Sequence, residues 1–314
     1  MDDISVIMPA KNAAGTIETA MRSVLLQPHL LELIVIINGS TDDTADIVAG
    51  IGDERVRLLR AEGYIEAINA GYAAAHGVFV ARCDADDVYV KDRLGWQHDW
   101  LEAHPDYIAI SSGYRSANSS GVPVADLACD GIGRDVTEPL LNGRPVTHHC
   151  TWLTRLSAVQ AIGGARTWFY TAHDLDMQFR LAEQGAIWHE PVSGYVYRLH
   201  DASHVHANPD ELVSFYGRNA RAFARQRRER GSDDLRDGHP PVFRPNIDQT
   251  GRRSAPRQVA GHSEAQAWRV FADGKSAQAI AILARSLKQT PFSARKWRDM
   301  ASMLLKSAGR LPRG

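Results

Sequence analysis

Three aspartates stand within four positions in FVARCDADDV: Asp84, Asp86 and Asp87, directly after the β-prone run Val78–Ala81. Carboxylates this close repel, so they call for a cation, a helix start or open solvent. Alternate acids in an Asp-x-Asp pair suit a hard cation such as Mg²⁺ or Mn²⁺, which binds through one or two carboxylates with substrate phosphates and water completing the shell. The competing reading is a cap, with Asp86 or Asp87 opening a helix near Val88. Spacing alone leaves both open. A second acid, Asp174 in HDLDMQFRLAEQG, stands where it could cap a helix or act as a base, while Asp176 faces elsewhere on that helix and reads as structural. In RLHDASHVH, His200, His204 and His206 are close enough to suggest a transition-metal site, though without a strong zinc spacing. The pair His148-His149 reads equally as cleft-lining or as packing.

Elements must bring these residues together. ISVIMPA (4–10), LELIVIING (31–39), VRLLRA and GVFVARC read as strands, separated by GTIETAMRSVLLQ, STDDTADIVAGI and YIEAINAGYAAAH with helical spacing. Ser40 or Thr41 is placed to cap the second helix, whose first turn would hold Asp42 and Asp43. The alternation predicts βαβ units, an α/β fold and a mostly parallel sheet flanked by helices. Ligands of such sheets sit at the carboxyl ends of strands, where the aspartates lie. Further on, LSAVQAIGG and DLDMQFRLAEQG predict short helices closed by glycine, IWHEPVSGYVYRLH a paired-strand ending, and 211–230 a long arginine-rich helix. Residues 231–262, rich in Gly, Pro, Arg and Asp, read as a linker, and 263–314 as a helical pair.

The 314 residues carry 44% apolar and 23% charged side chains, ordinary for a globular protein. The acids of MDDISVIMPA stand where a secretory signal carries positive charge, and three cysteines without a C-x-x-C pair argue against a disulfide framework, which together point to a reduced, cytoplasmic protein. The net charge of −1 conceals an asymmetry. Residues 1–217 hold 15 Lys+Arg against 29 Asp+Glu, a net of −14; the remaining 21 against 8 leave 218–314 at +13. Without a recognised nucleic-acid module, the basic segment does not indicate nucleic-acid binding. It fits either docking on an anionic membrane surface at the cytoplasmic face, with Phe215, Ala222 and Phe223 among its arginines, or a helix lying against the acidic body. The final helices resemble a single tetratricopeptide-type unit, which must pack on something to bury its face.

Taken together, SVIMPAKNAAGTIETAMRSVLLQ, ELIVIINGSTDDT, EAINAGYAAAHGVFVARCDADDVYVKDRL and FYTAHDLDMQFRLAEQG stand in an order that resembles the family 2 glycosyltransferases, over residues 3 to about 200. The resemblance implies a GT-A fold (Rossmann-like) over residues 1–205, then a basic helix at 206–230 and the C-terminal helical extension. It implies metal-assisted, inverting transfer of a sugar from a nucleotide diphosphate sugar, by default a UDP-sugar, to a glycan, lipid-linked or polysaccharide acceptor. Pro9, Ala10, Asn12 and Asn38 would line the donor's base and ribose, with Asp84 on the ribose or sugar. Asp86 would hold the divalent ion (Mn²⁺ or Mg²⁺), and Asp87 would cap the segment after it. Asp174 would take the acceptor's proton, and Arg198 and His200 would close over the diphosphate, His200 with the further reading of a metal ligand.

Three positions depart from the family pattern. Ile37 replaces an acid that reads the base, Lys11 replaces an aromatic, and His173 replaces the first acid of the catalytic pair. A nucleotidyltransferase shares strand-end acids, but PAKNAAGTI lacks the Gly-rich basic loop of that class. A binding or scaffold protein with a degenerate site is the reading from another class, kept open by Ile37 and His173.

Overall fold

The computed structural model describes residues 2–200, 208–244, 254–289 and 291–308. Strands β1 (Ile4–Ala10), β2 (Leu30–Ile37), β3 (Val56–Arg60) and β4 (Phe79–Arg82) form the parallel half of one sheet, in the order β3-β2-β1-β4. Helices α1 (Ile17–Leu25), α2 (Thr44–Gly50) and α3 (Tyr64–Ala74) connect them. The near-continuous apolar runs of β1 and β2 reflect burial on both faces. Ile7, Ile34 and Ile36 face the core that contains α3, whereas Val6, Met8, Leu33 and Val35 face the one that contains α1. Helix α3 approaches the sheet so closely that a Cβ on Gly71 would lie 2.9 Å from side-chain atoms of Ile7 and Ile36, which is why glycine occupies that turn.

Beyond β4 the sheet changes polarity. β9 (Trp152–Arg155) pairs antiparallel with β4 and with β6 (Tyr107–Asn118), and β10 (Ala186–Leu199) pairs antiparallel with β5 (Val88–Tyr89) and β8 (Arg134–Asp135). A short strand β7 (Pro123–Leu127) pairs with β6. The sheet is therefore mixed, and the mostly parallel arrangement that the alternation predicts describes its first half. Helices α4 (Arg93–Ala103), α5 (Thr137–Leu141), α6 (Leu156–Ala161) and α7 (His173–Ala182) complete this part, with α8 (Asp210–Arg230). Gly163 and Gly164 end α6 with positive φ, whereas α7 stops at Ala182 without a glycine in that conformation. Gly185 is instead pressed against Ile108.

The domain limits differ from those read in the sequence. One compact unit comprises 1–114, 127–197 and 208–251, so α8 belongs to it; the other comprises 115–126, 198–207 and 252–314. The expected linker at 231–262 contains structure at both ends. Asp233 is fully buried, and helix α9 (Ala255–Ala272) begins inside that stretch, because the Ser254 hydroxyl accepts from the Arg257 N–H and Pro256 fits the first turn. The final part is three helices rather than a pair: α9, α10 (Ser276–Gln289) and α11 (Ala294–Ala308). Their shared core includes Ala267, Val270, Phe271, Leu283 and Met303.

The apolar face of α8 is buried, with Phe223 fully covered and its ring against Trp168 and Phe169. Phe223 is thus taken up by the core of its own unit, while Phe215 and Ala222 are half-buried. Several of its arginines are held by the body: Arg227 by Glu183 and Asp233, Arg228 by Glu138. No helix among the described residues is long and apolar enough to cross a membrane.

Candidate functional site

The carboxyl ends of β1, β2 and β4 carry three loops that are stitched to one another. Asn12, held at φ 48°, accepts through Oδ1 from the Thr41 N–H at 2.9 Å, and its own N–H donates to Ser40 Oγ at 3.1 Å. Asp42 accepts from the Ala14 N–H at 3.1 Å and from Thr44 N–H and hydroxyl, contacts that hold its carboxyl below the ordinary aspartate range, Thr44 first. Helix α2 thus starts at Thr44 rather than under a Ser40 or Thr41 cap, since both those residues are spent on Asn12. The Thr16 hydroxyl crosses to the third loop and donates to the Ala85 carbonyl at 2.9 Å.

Of the residues expected on the donor side, Pro9 and Ala10 lie within buried β1, and only Lys11 and Asn12 are exposed on the loop. Asn38 is 7% exposed; its N–H donates to the Ala10 carbonyl at 2.8 Å, and its Oδ1 accepts from the Gly63 N–H at 2.9 Å. It braces two strand ends. Ile37 is buried in β2, paired with Ala10.

The three aspartates have separate environments. Asp84 receives Arg82 Nε at 3.1 Å and Nη2 at 3.1 Å, and the Cys150 thiol donates to it at 3.3 Å. Asp87 is 1% exposed and accepts from the Tyr195 hydroxyl at 2.7 Å. The same hydroxyl accepts from the Asp84 N–H at 3.2 Å, so one buried tyrosine of β10 fixes both ends of the turn. The segment after Asp87 is β5, not a helix, and the expected capping role is replaced by this bond to Tyr195. Asp86, between them, is half-buried. Asp84 is compensated by a guanidinium and Asp87 is held by a phenol, while the half-buried carboxylate of Asp86 is of the type that suits a hard ion. An all-oxygen donor set with one protein carboxylate fits Mg²⁺ or Mn²⁺, which take the rest of their shell from phosphates and water.

Asp174 lies in the first turn of α7, half-buried. The preceding residue joins it to the strand end: Arg82 Nη1 is 3.1 Å from His173 Nε2. A guanidinium only donates, so Nε2 accepts and His173 carries its proton on Nδ1. His148 completes the wall, with its ring against Tyr114 and Tyr197. Burial pushes its pKa down, opposed by the charges of Asp174 and Asp84, so both carboxylates lie within electrostatic reach of one imidazole. His149, 4% exposed and beside Trp152, has no hydrogen-bond partner on either ring nitrogen; burial, then Arg82, pushes it down to about 3. Of the pair, His148 faces the site and His149 packs.

Asp176 is fully buried, as its structural reading implies. It pairs with Arg166 and with Arg180, whose Nε is 2.8 Å away; Arg166 Nη1 reaches Asp233 at 2.8 Å, and Arg227 Nη1 reaches Asp233 at 2.6 Å. This ionic chain ties α7 to α8 and the turn after it. Arg198 and His200 belong to the other unit, where His200, Leu199, Asn118, Pro256 and Val259 line a cavity of about 340 Å³. His204 and His206 lie outside the described residues. The motifs do not single out Arg82, Tyr195 or Cys150; an arginine in a strand otherwise fit for burial is the available signal, since a buried cation needs an acid close by.

A family model described as Glycosyl transferase family 2 matches residues 5–163. Among curated proteins, the succinoglycan biosynthesis protein ExoU of Rhizobium meliloti is 36% identical over 126 residues, 38% of this chain and 37% of ExoU. WfgD of Escherichia coli, named UDP-Glc:alpha-D-GlcNAc-diphosphoundecaprenol beta-1,3-glucosyltransferase, is 38% identical over 103 residues, 31% of this chain and 41% of WfgD. The chain thus matches well under two thirds of either relative's length. Among solved structures, S. aureus TarS in complex with UDP-GlcNAc superimposes with a TM-score of 0.60 at 18% identity, over 91% of this chain and 81% of that one, a likeness of fold. With strand-end acids, a helix-opening aspartate and a family match across half its length, the chain belongs to glycosyl transferase family 2.

Proposed function

We propose that the protein is an inverting glycosyltransferase that moves a sugar from a nucleotide diphosphate donor to a hydroxyl of a lipid-linked or polysaccharide acceptor. The observation that carries this reading is the Arg82 bridge, which brings the acidic turn after β4 and the Asp174 end of α7 to one place. The loops at Asn12 and Asn38 form the nucleotide side, with a uridine donor favoured by the name of WfgD and by the TarS complex. Asp84, already oriented by Arg82, accepts from donor hydroxyls through its remaining lone pairs. Asp86 would hold Mg²⁺ or Mn²⁺, whose charge offsets the negative charge that builds on the leaving diphosphate.

Asp174 takes the proton of the acceptor hydroxyl as the oxygen attacks the anomeric carbon from the face opposite the leaving group. His148, kept neutral by burial, adds no competing positive charge beside that carboxylate. The acceptor class is taken from the relatives, one named for a diphosphoundecaprenol substrate and one for succinoglycan synthesis. Contact with an anionic membrane, where such acceptors reside, would fall to exposed arginines such as Arg218 and Arg225.

A thermal-shift panel of nucleoside diphosphates and nucleotide sugars, each with and without Mn²⁺ or Mg²⁺, tests the reading. Metal-dependent stabilisation by one nucleotide series supports it and identifies the base; no shift with any of them overturns it.

A further inference from the structure

Far from the strand exits, where β1, β2 and β4 begin, a second group of ligand-type side chains converges. His29 precedes β2, Asp3 precedes β1, and His98 and Asp99 lie on α4. His98 Nδ1 is 3.3 Å from Asp99 Oδ1, and His29 Nε2 is 3.8 Å from the same oxygen. One ligand atom from each of His29, His98 and Asp99 falls within 4.8 Å of the other two, the one such trio of His, Cys, Asp or Glu among the described residues.

We infer that His29, His98 and Asp99 form a binding site for a transition ion of the Zn²⁺ type, with Asp3 orienting His98. Tetrahedral zinc with bonds of about 2.0–2.1 Å sets its ligand atoms about 3.3–3.4 Å apart. The contacts to Asp99 are already near that spacing. Two imidazoles and one carboxylate suit Zn²⁺, Ni²⁺ or Cu²⁺, unlike the all-oxygen set at Asp86. Behind His98, Asp3 Oδ1 lies 3.2 Å from Nε2, and that oxygen is buried with no aligned hydrogen-bond donor. A carboxylate behind a ligating imidazole fixes the tautomer and raises the basicity of the metal-binding nitrogen.

The scaffold is firm: the Asp3 and Ile4 N–H groups both donate to the His29 carbonyl, at 3.1 and 3.0 Å, and His98 packs edge-on against Phe79. His29 is held at φ 60°, a conformation that non-glycine residues adopt rarely. Its ring stacks on His98 at 4.0 Å and 15°, so binding must splay the two rings. Asp99, whose side chain is 75% exposed, is free to move with the ion. Three protein ligands leave the fourth position to water. A bound ion would join the segment before β1, the turn before β2 and α4, stabilising the folded chain by mass action.

The full chain, stripped with a chelator, is titrated with ZnCl₂ by calorimetry, and with Co²⁺ as an absorbing probe of tetrahedral geometry. One equivalent bound with a tetrahedral Co²⁺ spectrum is expected. His29→Asn, which keeps the left-handed backbone, and His98→Gln should each weaken that binding at least tenfold, and Asp3→Asn roughly ten- to a hundredfold. Circular dichroism establishes that each variant is folded. Should His98→Gln fail to fold, His29→Asn alone decides. No binding to the parent chain, or binding that His29→Asn leaves unchanged, overturns the assignment, and the cluster is then a stacked, hydrogen-bonded imidazole pair. A nucleotide-dependent Mg²⁺ response is a separate readout and is unaffected by either result.

Discussion

The guanidinium of Arg82 touches Asp84 on its own strand end and, 3.1 Å away, Nε2 of His173 at the start of α7. One side chain, 5% exposed, therefore sets the distance between the acidic turn and the helix that carries Asp174. Arg82→Gln should cost about 2–4 kcal/mol in urea unfolding, below the full value of a broken buried pair because Asp84 keeps some solvent. It should also lower turnover more than it raises KM for the donor. Unchanged stability would remove Arg82 from its bridging role.

Asp86→Ala should abolish metal-dependent stabilisation by nucleoside diphosphates while leaving the melting temperature without ligand nearly unchanged. Retention of the metal-dependent shift would move the ion elsewhere.

For Asp174→Asn, donor binding should persist by calorimetry and kcat should fall by about 10²–10⁴-fold, the range of a lost general base. A kcat within twofold of the parent would exclude Asp174 from proton transfer.

The ionic chain Asp176–Arg166–Asp233–Arg227 is buried along most of its length, with both carboxylates fully covered. Asp233→Asn leaves two guanidinium groups under-compensated and should destabilise the chain by about 3–5 kcal/mol, measured by chemical unfolding. Its effect on α7 is to loosen the helix from the side away from the site, so a loss of kcat at constant donor affinity should accompany it.

His149 titrates near 3 when folded against 6.5 as its ordinary value. At pH 7 it is neutral in both states; between 6.5 and 3 only the unfolded chain takes the proton. Stability contributed by this group is therefore full above pH 6.5 and declines by up to about 1.4 kcal/mol per pH unit on acidification. Unfolding curves at pH 7, 6, 5 and 4 should show a shallower decline for His149→Phe than for the parent. Identical slopes would contradict the burial argument.

The parallel half of the fold was legible because β1 and β2 are long apolar runs, each succeeded by a helical period. Strands β9 and β10 were harder, since their pairing depends on partners more than 40 residues away. β5, two residues long, carries no periodic signal at all. Asp174 and Asp86 stood out by motif, but the work of Asp84 and Asp87 did not. Their partners Arg82, Cys150 and Tyr195 come from three different strands or turns, and only tertiary packing selects them. The start of α9 was hidden by composition: Ser254 and Pro256 open a helix among Gly and Arg residues that read as a linker.

The reversal of sheet polarity at β4 has an engineering consequence. The exits of β1, β2 and β4 face the same end of the sheet as the residues that lead into β9, His148 to Thr151. Those two sets are contributed by separate, independently connected pieces of chain. On the proposed reading, one set holds the donor, and His148 of the other stands within electrostatic reach of Asp174, the base for the acceptor hydroxyl. Exchanging residues 143–149 between family members while keeping Cys150 for Asp84 should then produce chimaeras with altered acceptor choice and an inherited donor, a modular route to new linkages.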